Sequence, residues 1–128
     1  MPHEIPKVFE SEYRFCLLLW DNEPIKSGEL AKLAAAELGW KKSTTYTVIK
    51  RLTERGVLQN EDSTVTSLVT REEVQCSESR EFLDRTFGGS LPNFIAAFAN
   101  KKQLSAEEAA EIRRIIDSYT EESPCQNS

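Results

Sequence analysis

The segment between Gly39 and Gly56 constrains this chain more than any other. The intervening WKKSTTYTVIKRLTER holds no glycine and no proline. Glycine is the common exit residue of a helix, so each of the two marks a helix ending just ahead of it. Ser43 or Thr44 can cap a helix by accepting an orphan N–H, which predicts a short helix running to Arg55. On a helical period, Thr45, Val48, Ile49 and Leu52 form one apolar stripe. The opposite face carries Ser43, Tyr46, Thr47, Lys50, Arg51 and Glu54. From Trp40 to Arg55 the positive residues are Lys41, Lys42, Lys50, Arg51 and Arg55, and the only negative one is Glu54, in a chain of formal net charge −5. A basic island in an acidic protein points to an anionic partner. A short, donor-rich face suits base edges and phosphates, so this helix is expected to enter the major groove of DNA. The competing reading is a solvated helix face, and the neighbouring elements decide between them.

A first helix is expected over residues 11–21, with Phe9, Tyr13, Cys16, Leu17 and Trp20 on one face and Leu18 and Leu19 widening the stripe. Asn22-Glu23-Pro24 ends it, because proline cannot continue a helix and restricts the residue before it. Ser27 caps a second helix over residues 28–38, with Leu30, Leu33, Ala34 and Leu38 inward. Two helices joined by a short glycine-containing turn, the second one basic, form a helix-turn-helix. Val57 and Leu58 then lead through a polar turn into TVTSLVT, residues 64–70, whose branched residues read as a strand. A helix-turn-helix followed by a β-hairpin is a winged helix. The wing tip offers Asn60, Glu61 and Asp62, which phosphate repels, so the tip is not expected to bind DNA.

The remainder reads as helical. A fourth helix spans residues 71–87 with Val74, Phe82, Leu83 and Phe87, and the Gly88-Gly89 turn ends it. A fifth, residues 91–100, places Leu91, Phe94, Ile95 and Phe98 at i, i+3, i+4, i+7, with Pro92 in its first turn. A sixth starts at the capping box Ser105-Ala106-Glu107-Glu108, with Leu104, Ile112, Ile115, Ile116 and Tyr119 as its stripe. So many large apolar residues over about fifty positions cannot close a core alone. The expected solution is a second copy of the chain, and folding back on the winged helix is the alternative. The fold class is mainly α, a winged helix-turn-helix DNA-binding domain (1–71) followed by a three-helix dimerisation domain (72–122) and a disordered tail (123–128). The dimerisation residues are Phe82, Leu83, Phe87, Leu91, Phe94, Ile95, Phe98, Ile112, Ile115, Ile116 and Tyr119.

No apolar run spans a bilayer, and MPHEIPKVFE lacks the apolar core of a signal peptide, so a cytoplasmic protein without membrane insertion is expected. Cys16, Cys76 and Cys125 have no C-x-x-C spacing and predict neither a disulfide framework nor a zinc site. Cys16 is read as a small core residue. The single histidine, His3, sits near the terminus, and no phosphate-cradling glycine loop is present. No catalytic residue, metal or cofactor is therefore predicted, and the chain is read as not an enzyme.

Four segments carry a resemblance: VFESEYRFCLLLW, IKSGELAKLA, WKKSTTYTVIKRLTERGVL and EFLDRTFGGSLPNFIAAFANKKQLSAEEAAEI. Together they resemble the penicillinase and methicillin-resistance repressors, with the related copper-operon repressors (the BlaI/MecI/CopY family), over nearly the whole chain. The resemblance implies a winged-helix DNA-binding domain, a helical dimerisation domain and repression at a palindromic operator of double-stranded DNA. In the β-lactam antibiotic-resistance branch it implies a sensor protease and cleavage of the repressor in its C-terminal domain. In the copper branch it implies paired C-terminal cysteines. The chain departs in three places. The cleaved Asn-Phe bond is matched here by Ala97-Phe98, and the only Asn-Phe is Asn93-Phe94. Cys125 alone is no cysteine cluster. STVTSLVT lacks the glycine-basic-aromatic pattern of family wings. The expected function is a homodimeric DNA-binding transcriptional repressor, relieved by a signal acting on the C-terminal domain. Ser43, Thr44, Tyr46 and Thr47 are expected nearest the bases, with Lys41, Lys42, Lys50, Arg51 and Arg55 on phosphates. For Tyr46 the alternative is packing on Trp40, and for Arg51 a salt bridge with Glu54 or Glu37. The alternative function is a winged-helix module that binds proteins only.

Overall fold

The run Phe15 to Trp20 is apolar on nearly every side of a helix, so periodicity alone leaves its inward face open. The structure, a computed structural model, describes residues 4–101 and 103–120 and resolves that ambiguity. Helix α1 (Glu10–Asn22) buries Glu12, Phe15, Cys16 and Leu19. This differs from the expected stripe: Phe9 is 55% exposed and Leu17 only half-buried. Phe15 sets the register by stacking on Trp40, ring centroids 5.4 Å apart. Burial pushes the Cys16 thiol up to about 12, as befits a small core residue.

The chain continues as β1 (Ile25–Lys26), α2 (Ser27–Leu38), α3 (Lys42–Arg55), β2 (Leu58–Glu61) and β3 (Thr64–Ser67). The two-residue strand β1 was not foreseen. It pairs antiparallel with β3, giving a sheet of order β1-β3-β2 with Ile25 opposite Val65. It also displaces the expected cap. Lys26 precedes α2 without a side-chain cap, and the N–H of Ser27 donates instead to the Ser63 carbonyl at the wing turn, 2.8 Å. Gly39 and Gly56 end α2 and α3 in the left-handed conformation, as expected, with φ of 72° and 84°. The stripe Thr45, Val48, Ile49 and Leu52 of α3 is buried throughout.

The wing turns at Asp62 and Ser63, both with positive φ (52° and 64°), the signature of a two-residue hairpin loop matched to strand twist. Its ladder stops at Ser67, short of the expected residue 70. There the Glu23 carboxylate accepts from the Ser67 N–H at 2.6 Å and from its hydroxyl, and Trp20 Nε1 donates to the Val69 carbonyl at 3.0 Å. The wing is thereby tied to α1 and to the segment that follows it. Among the described residues no helix is long and apolar enough to cross a membrane.

Helix α4 (Arg71–Phe87) opens with a capping box that went unread in the sequence. Thr70 Oγ1 accepts from the Glu73 N–H at 3.0 Å, and the Glu73 carboxylate accepts from the Thr70 N–H at 2.9 Å. The chain divides into two compact units, Met1–Phe82 and Leu83–Ser128, whereas a boundary at 71/72 was expected. The shift has a physical cause: Val74 is buried in the first core, and the Lys7 ammonium pairs with Glu78 and Glu81. Phe82, expected in the dimerisation domain, thus falls in the first unit.

The second unit contains the end of α4, α5 (Leu91–Lys101) and α6 (Ala106–Ser118). Ser90 and Ser105 cap α5 and α6 by accepting from the N–H groups of Asn93 and Glu108. Phe87, Phe94 and Phe98 form a chain of rings, with centroids 5.5 and 6.1 Å apart. No described side chain of α5 or α6 is buried. His3, Cys125 and the tail 123–128 lie outside the described residues.

A methyl group at Gly56 meets nothing within 4 Å, so Gly56→Ala isolates backbone strain from packing. Its left-handed φ should cost about 1–2 kcal/mol. Chemical denaturation should show that loss as a lower midpoint with an unchanged slope.

Candidate nucleic-acid interface

Helix α3 is held at both ends, and this decides which residues it turns outward. Just ahead of its N-terminus the indole of Trp40 stacks on Phe15, and along its length the buried stripe packs on the core. Lys41, Lys42, Ser43, Thr44, Thr47 and Lys50 are exposed. Tyr46 is partly exposed, and its hydroxyl leans toward Gly28 of α2, not onto Trp40, which Phe15 occupies.

Ser43 and Thr44 do not cap α3, contrary to expectation. The cap position is Lys41, without a side-chain hydrogen bond, and both hydroxyl residues lie inside the helix. The first intrahelical donor is the Thr45 N–H, so the N–H groups of Lys42, Ser43 and Thr44 keep no partner among the described residues. The hydroxyls divide in the same way. Thr45 and Thr53 return theirs to the carbonyls of Lys41 and Ile49, at 3.4 and 2.7 Å. Those of Ser43, Thr44 and Thr47 bond to no described residue and face outward. An exposed helix face with free N–H groups and two lysines at its start, and free hydroxyls and Lys50 along it, is matched to an anionic, acceptor-rich surface.

Arg55, expected on a phosphate, is turned inward in this structure. Its guanidinium pairs with the Glu12 carboxylate, donates to the Lys7 carbonyl at 2.6 Å and sits over the Phe9 ring at 5.3 Å. Glu12 is only 4% exposed and also accepts from the Phe9 N–H at 2.9 Å. Burial pushes its carboxyl pKa up. The Arg55 hydrogen bond, the Phe9 N–H and the charges of Arg55 and Arg51 outweigh that, holding it below the usual carboxylate range. Arg51 approaches the same carboxylate at 3.8 Å while staying more than half exposed. Its acidic neighbour is thus Glu12 of α1, neither Glu54 nor Glu37. Sequence reasoning missed Glu12. Its spacing with Phe15, Cys16 and Leu19 was the available signal, obscured by an alternative stripe through Phe9 and Tyr13. It also missed Ser11 and Trp40, which line a surface depression with Ser43, Thr44, Thr47 and Arg51.

The penicillinase repressor family matches residues 10–118. The chain belongs to that family. Similar relatives include the penicillinase repressor of Bacillus licheniformis, 24% identical over 91% of this chain and 94% of that protein. The methicillin resistance regulatory protein MecI of Staphylococcus aureus is 22% identical over 91% of this chain and 98% of its own. The penicillinase repressor of Staphylococcus aureus is 18% identical over 91% and 96%. The family is one of transcriptional repressors and not of enzymes.

In this repressor the second unit places the remaining expected residues. Leu91, Ile95, Ile112, Ile115 and Ile116 line an apolar cleft between α5 and α6. Phe94 and Phe98 border a second cleft with Leu104. Leu83 and Phe87 are half-buried, and Tyr119 is almost fully exposed. Asn93, Phe94, Ala97 and Phe98 all lie within the helical span of α5.

Replacing Glu12 by Ala strands the Arg55 guanidinium, only a quarter exposed, and should cost about 3 kcal/mol. Because the folded-state pKa of Glu12 lies below its unfolded value, its contribution is complete above the ordinary glutamate pKa of about 4.3. It is lost as pH falls through the lowered value. Urea denaturation at neutral pH and on the acid limb should show a wild-type loss of stability there that the Glu12→Ala chain shares only in part.

Proposed function

We propose that two copies of this repressor bind a palindromic operator in double-stranded DNA, each docking α3 in a major groove. The single observation that carries this reading is the outward face of α3, where free N–H groups, unpartnered hydroxyls and lysines lie on a helix fixed at both ends. Ser43, Thr44 and Thr47 face the base edges, with Tyr46 at the margin against α2. Lys41, Lys42, Lys50 and Arg51 hold phosphates, and Arg55 instead fixes the helix. The wing tip, Asn60 to Asp62, stays off the phosphates because Glu61 and Asp62 repel them. The second unit forms the homodimer through α5 and α6, whose apolar side chains a partner copy would cover. Relief of repression acts on that unit. A sensor protease, the partner met in the β-lactam branch, would find Asn93-Phe94 and Ala97-Phe98 inside α5. MecI is a methicillin resistance regulatory protein, and regulation of a resistance determinant is the corresponding proposal for this chain.

The acidic net charge and acidic wing favour one other reading, a winged helix that binds only proteins. Anisotropy titration of the full chain with the DNA immediately upstream of its own gene separates the two. The operator reading expects selective, salt-dependent binding by two protomers per site, and its loss when Lys41, Lys42, Lys50 and Arg51 are all replaced by Gln. Selectivity no better than for random DNA overturns it in favour of the interaction module.

The dimer has its own test. Sedimentation equilibrium should give twice the 14.5 kDa chain mass for the wild type. Ile115→Asp, half-exposed in the single chain, should shift it to the monomer mass without loss of the first unit's helical signal.

A further inference from the structure

We propose that the depression between the first turn of α1 and the flank of α3 seats one DNA backbone phosphate per protomer, with Ser11 and Trp40 as contacts from outside the recognition helix. This rests on the operator reading and adds to it a contact that no motif in the helix-turn-helix announces. The chemistry of the lining is one-sided. Its polar groups are the hydroxyls of Ser11, Ser43, Thr44 and Thr47, the Trp40 indole and the Arg51 guanidinium, with no carboxylate among them. None of those hydroxyls bonds to a described residue, whereas Thr45 and Thr53 on the same helix return theirs to backbone carbonyls. The indole N–H of Trp40 likewise bonds to no described residue, although its ring is fixed against Phe15.

Charge points the same way. The carboxylate behind the depression belongs to Glu12, and Arg55 already pairs with it more closely than Arg51 does. One buried carboxylate facing two guanidiniums leaves a positive excess. Its exposed member is Arg51, with a side chain 54% exposed against 25% for Arg55. A guanidinium backed by hydroxyls is the donor set that phosphate takes, and rigid surroundings lower the ordering cost. Placement supports DNA over a free anion. Thr44 and Thr47, turned to the base edges, border the seat, and Arg51, one turn beyond Thr47, carries it onto the flank of the helix. A helix with its base-edge face in the groove carries this flank along one DNA backbone. Contacts of this kind fix register and carry no sequence information.

The test is anisotropy titration of the full chain against the duplex immediately upstream of its own gene, over a range of chloride concentrations. Variants are Ser11→Ala, Ser11→Glu and Arg51→Gln, with Lys32→Gln on the far side of α2 as control. We expect Arg51→Gln to flatten the salt slope by about one unit. Ser11→Glu should weaken binding by about tenfold or more through charge repulsion, and Ser11→Ala by a few-fold. Lys32→Gln should change nothing. Neutral methylphosphonate linkages, introduced one at a time, should reveal a position in each half-site where the wild type weakens and Ser11→Glu weakens no further. Ser11 variants that bind like the wild type, on DNA the wild type binds selectively, overturn the seat and leave the operator reading intact. No selective binding by the wild type overturns the operator reading and the seat with it. Displacement by inorganic phosphate beyond that by chloride of equal ionic strength overturns the assignment to DNA and makes the depression a free-anion site.

Discussion

The buried contact between Glu12 and Arg55 is the constraint on which the rest of the first unit depends. Apolar burial drives α3 onto the core, but the hydrophobic effect has no direction, and a stripe of Thr45, Val48, Ile49 and Leu52 tolerates rolling and sliding. An ion pair tolerates neither. Its net contribution to stability is modest, because removing both charges from water offsets most of their attraction. Its contribution to geometry is large, because a buried carboxylate without its guanidinium costs far more than a misplaced methyl group. The pair therefore anchors the C-terminal end of α3 to α1, as the Trp40–Phe15 stack anchors the other end. The outward face of α3 is the consequence of those two fixed points. Lys7 extends the same arrangement: its carbonyl receives Arg55, and its ammonium, raised in pKa chiefly by its hydrogen bond to Glu81, joins α4.

What the sequence disclosed follows from which forces are local. Gly39 and Gly56 were legible because a left-handed exit is a single-residue requirement. The stripe of α3 was legible because one turn of helix encodes it. The caps were not. Ser27 looks like a cap in isolation, but β1 brings the Ser63 carbonyl to its N–H, and a contact across 36 residues outranks a local preference. Ser43 and Thr44 look like caps too, yet α3 begins a residue earlier and leaves them free for another use. Conflict between local rule and structure at that point is what a functional surface produces. Arg55 and Arg51 are alike in sequence, both basic and one turn apart. Only Glu12, some 43 residues away, separates the structural arginine from the available one. The face of α3 proposed to meet DNA was therefore readable in sequence except at Arg55 and at its α1 border.

An acidic protein proposed to bind a polyanion needs its positive charge concentrated and its negative charge kept distant or paired. At physiological salt, charges separated by more than about 8 Å are largely screened, so the local balance at α3 governs the contact more than the net charge of −5. Glu12, the carboxylate that Arg51 and Arg55 both approach, is buried and doubly countered. The wing keeps Glu61 and Asp62 at its tip and uses its buried residues, Leu58 and Val65, to complete the core. The Glu23 clamp on Ser67 and the Trp20 bond to Val69 give that hairpin a structural function of its own.

The second unit presents the opposite situation, an apolar surface without a closed core. Neither α5 nor α6 buries a described side chain, and Leu91, Phe98, Ile115 and Ile116 each stay about half exposed. If a partner copy supplies the missing cover, folding of this unit and dimerisation become one equilibrium that depends on protomer concentration. That coupling bears on how a protease could act. Asn93-Phe94 and Ala97-Phe98 are both inside the helical span of α5, so cutting either requires local opening. A covered α5 opens at the cost of the dimer interface, while an uncovered one opens at little cost. In the proposed dimer, each cut would remove a protomer from the dimer pool and favour opening of the remainder. On the proposed operator the two half-sites would lose their avidity, which for linked modules exceeds a single-site affinity by about two orders of magnitude. Repression relieved in this way needs no change in the face of α3, only the loss of the second copy beside it.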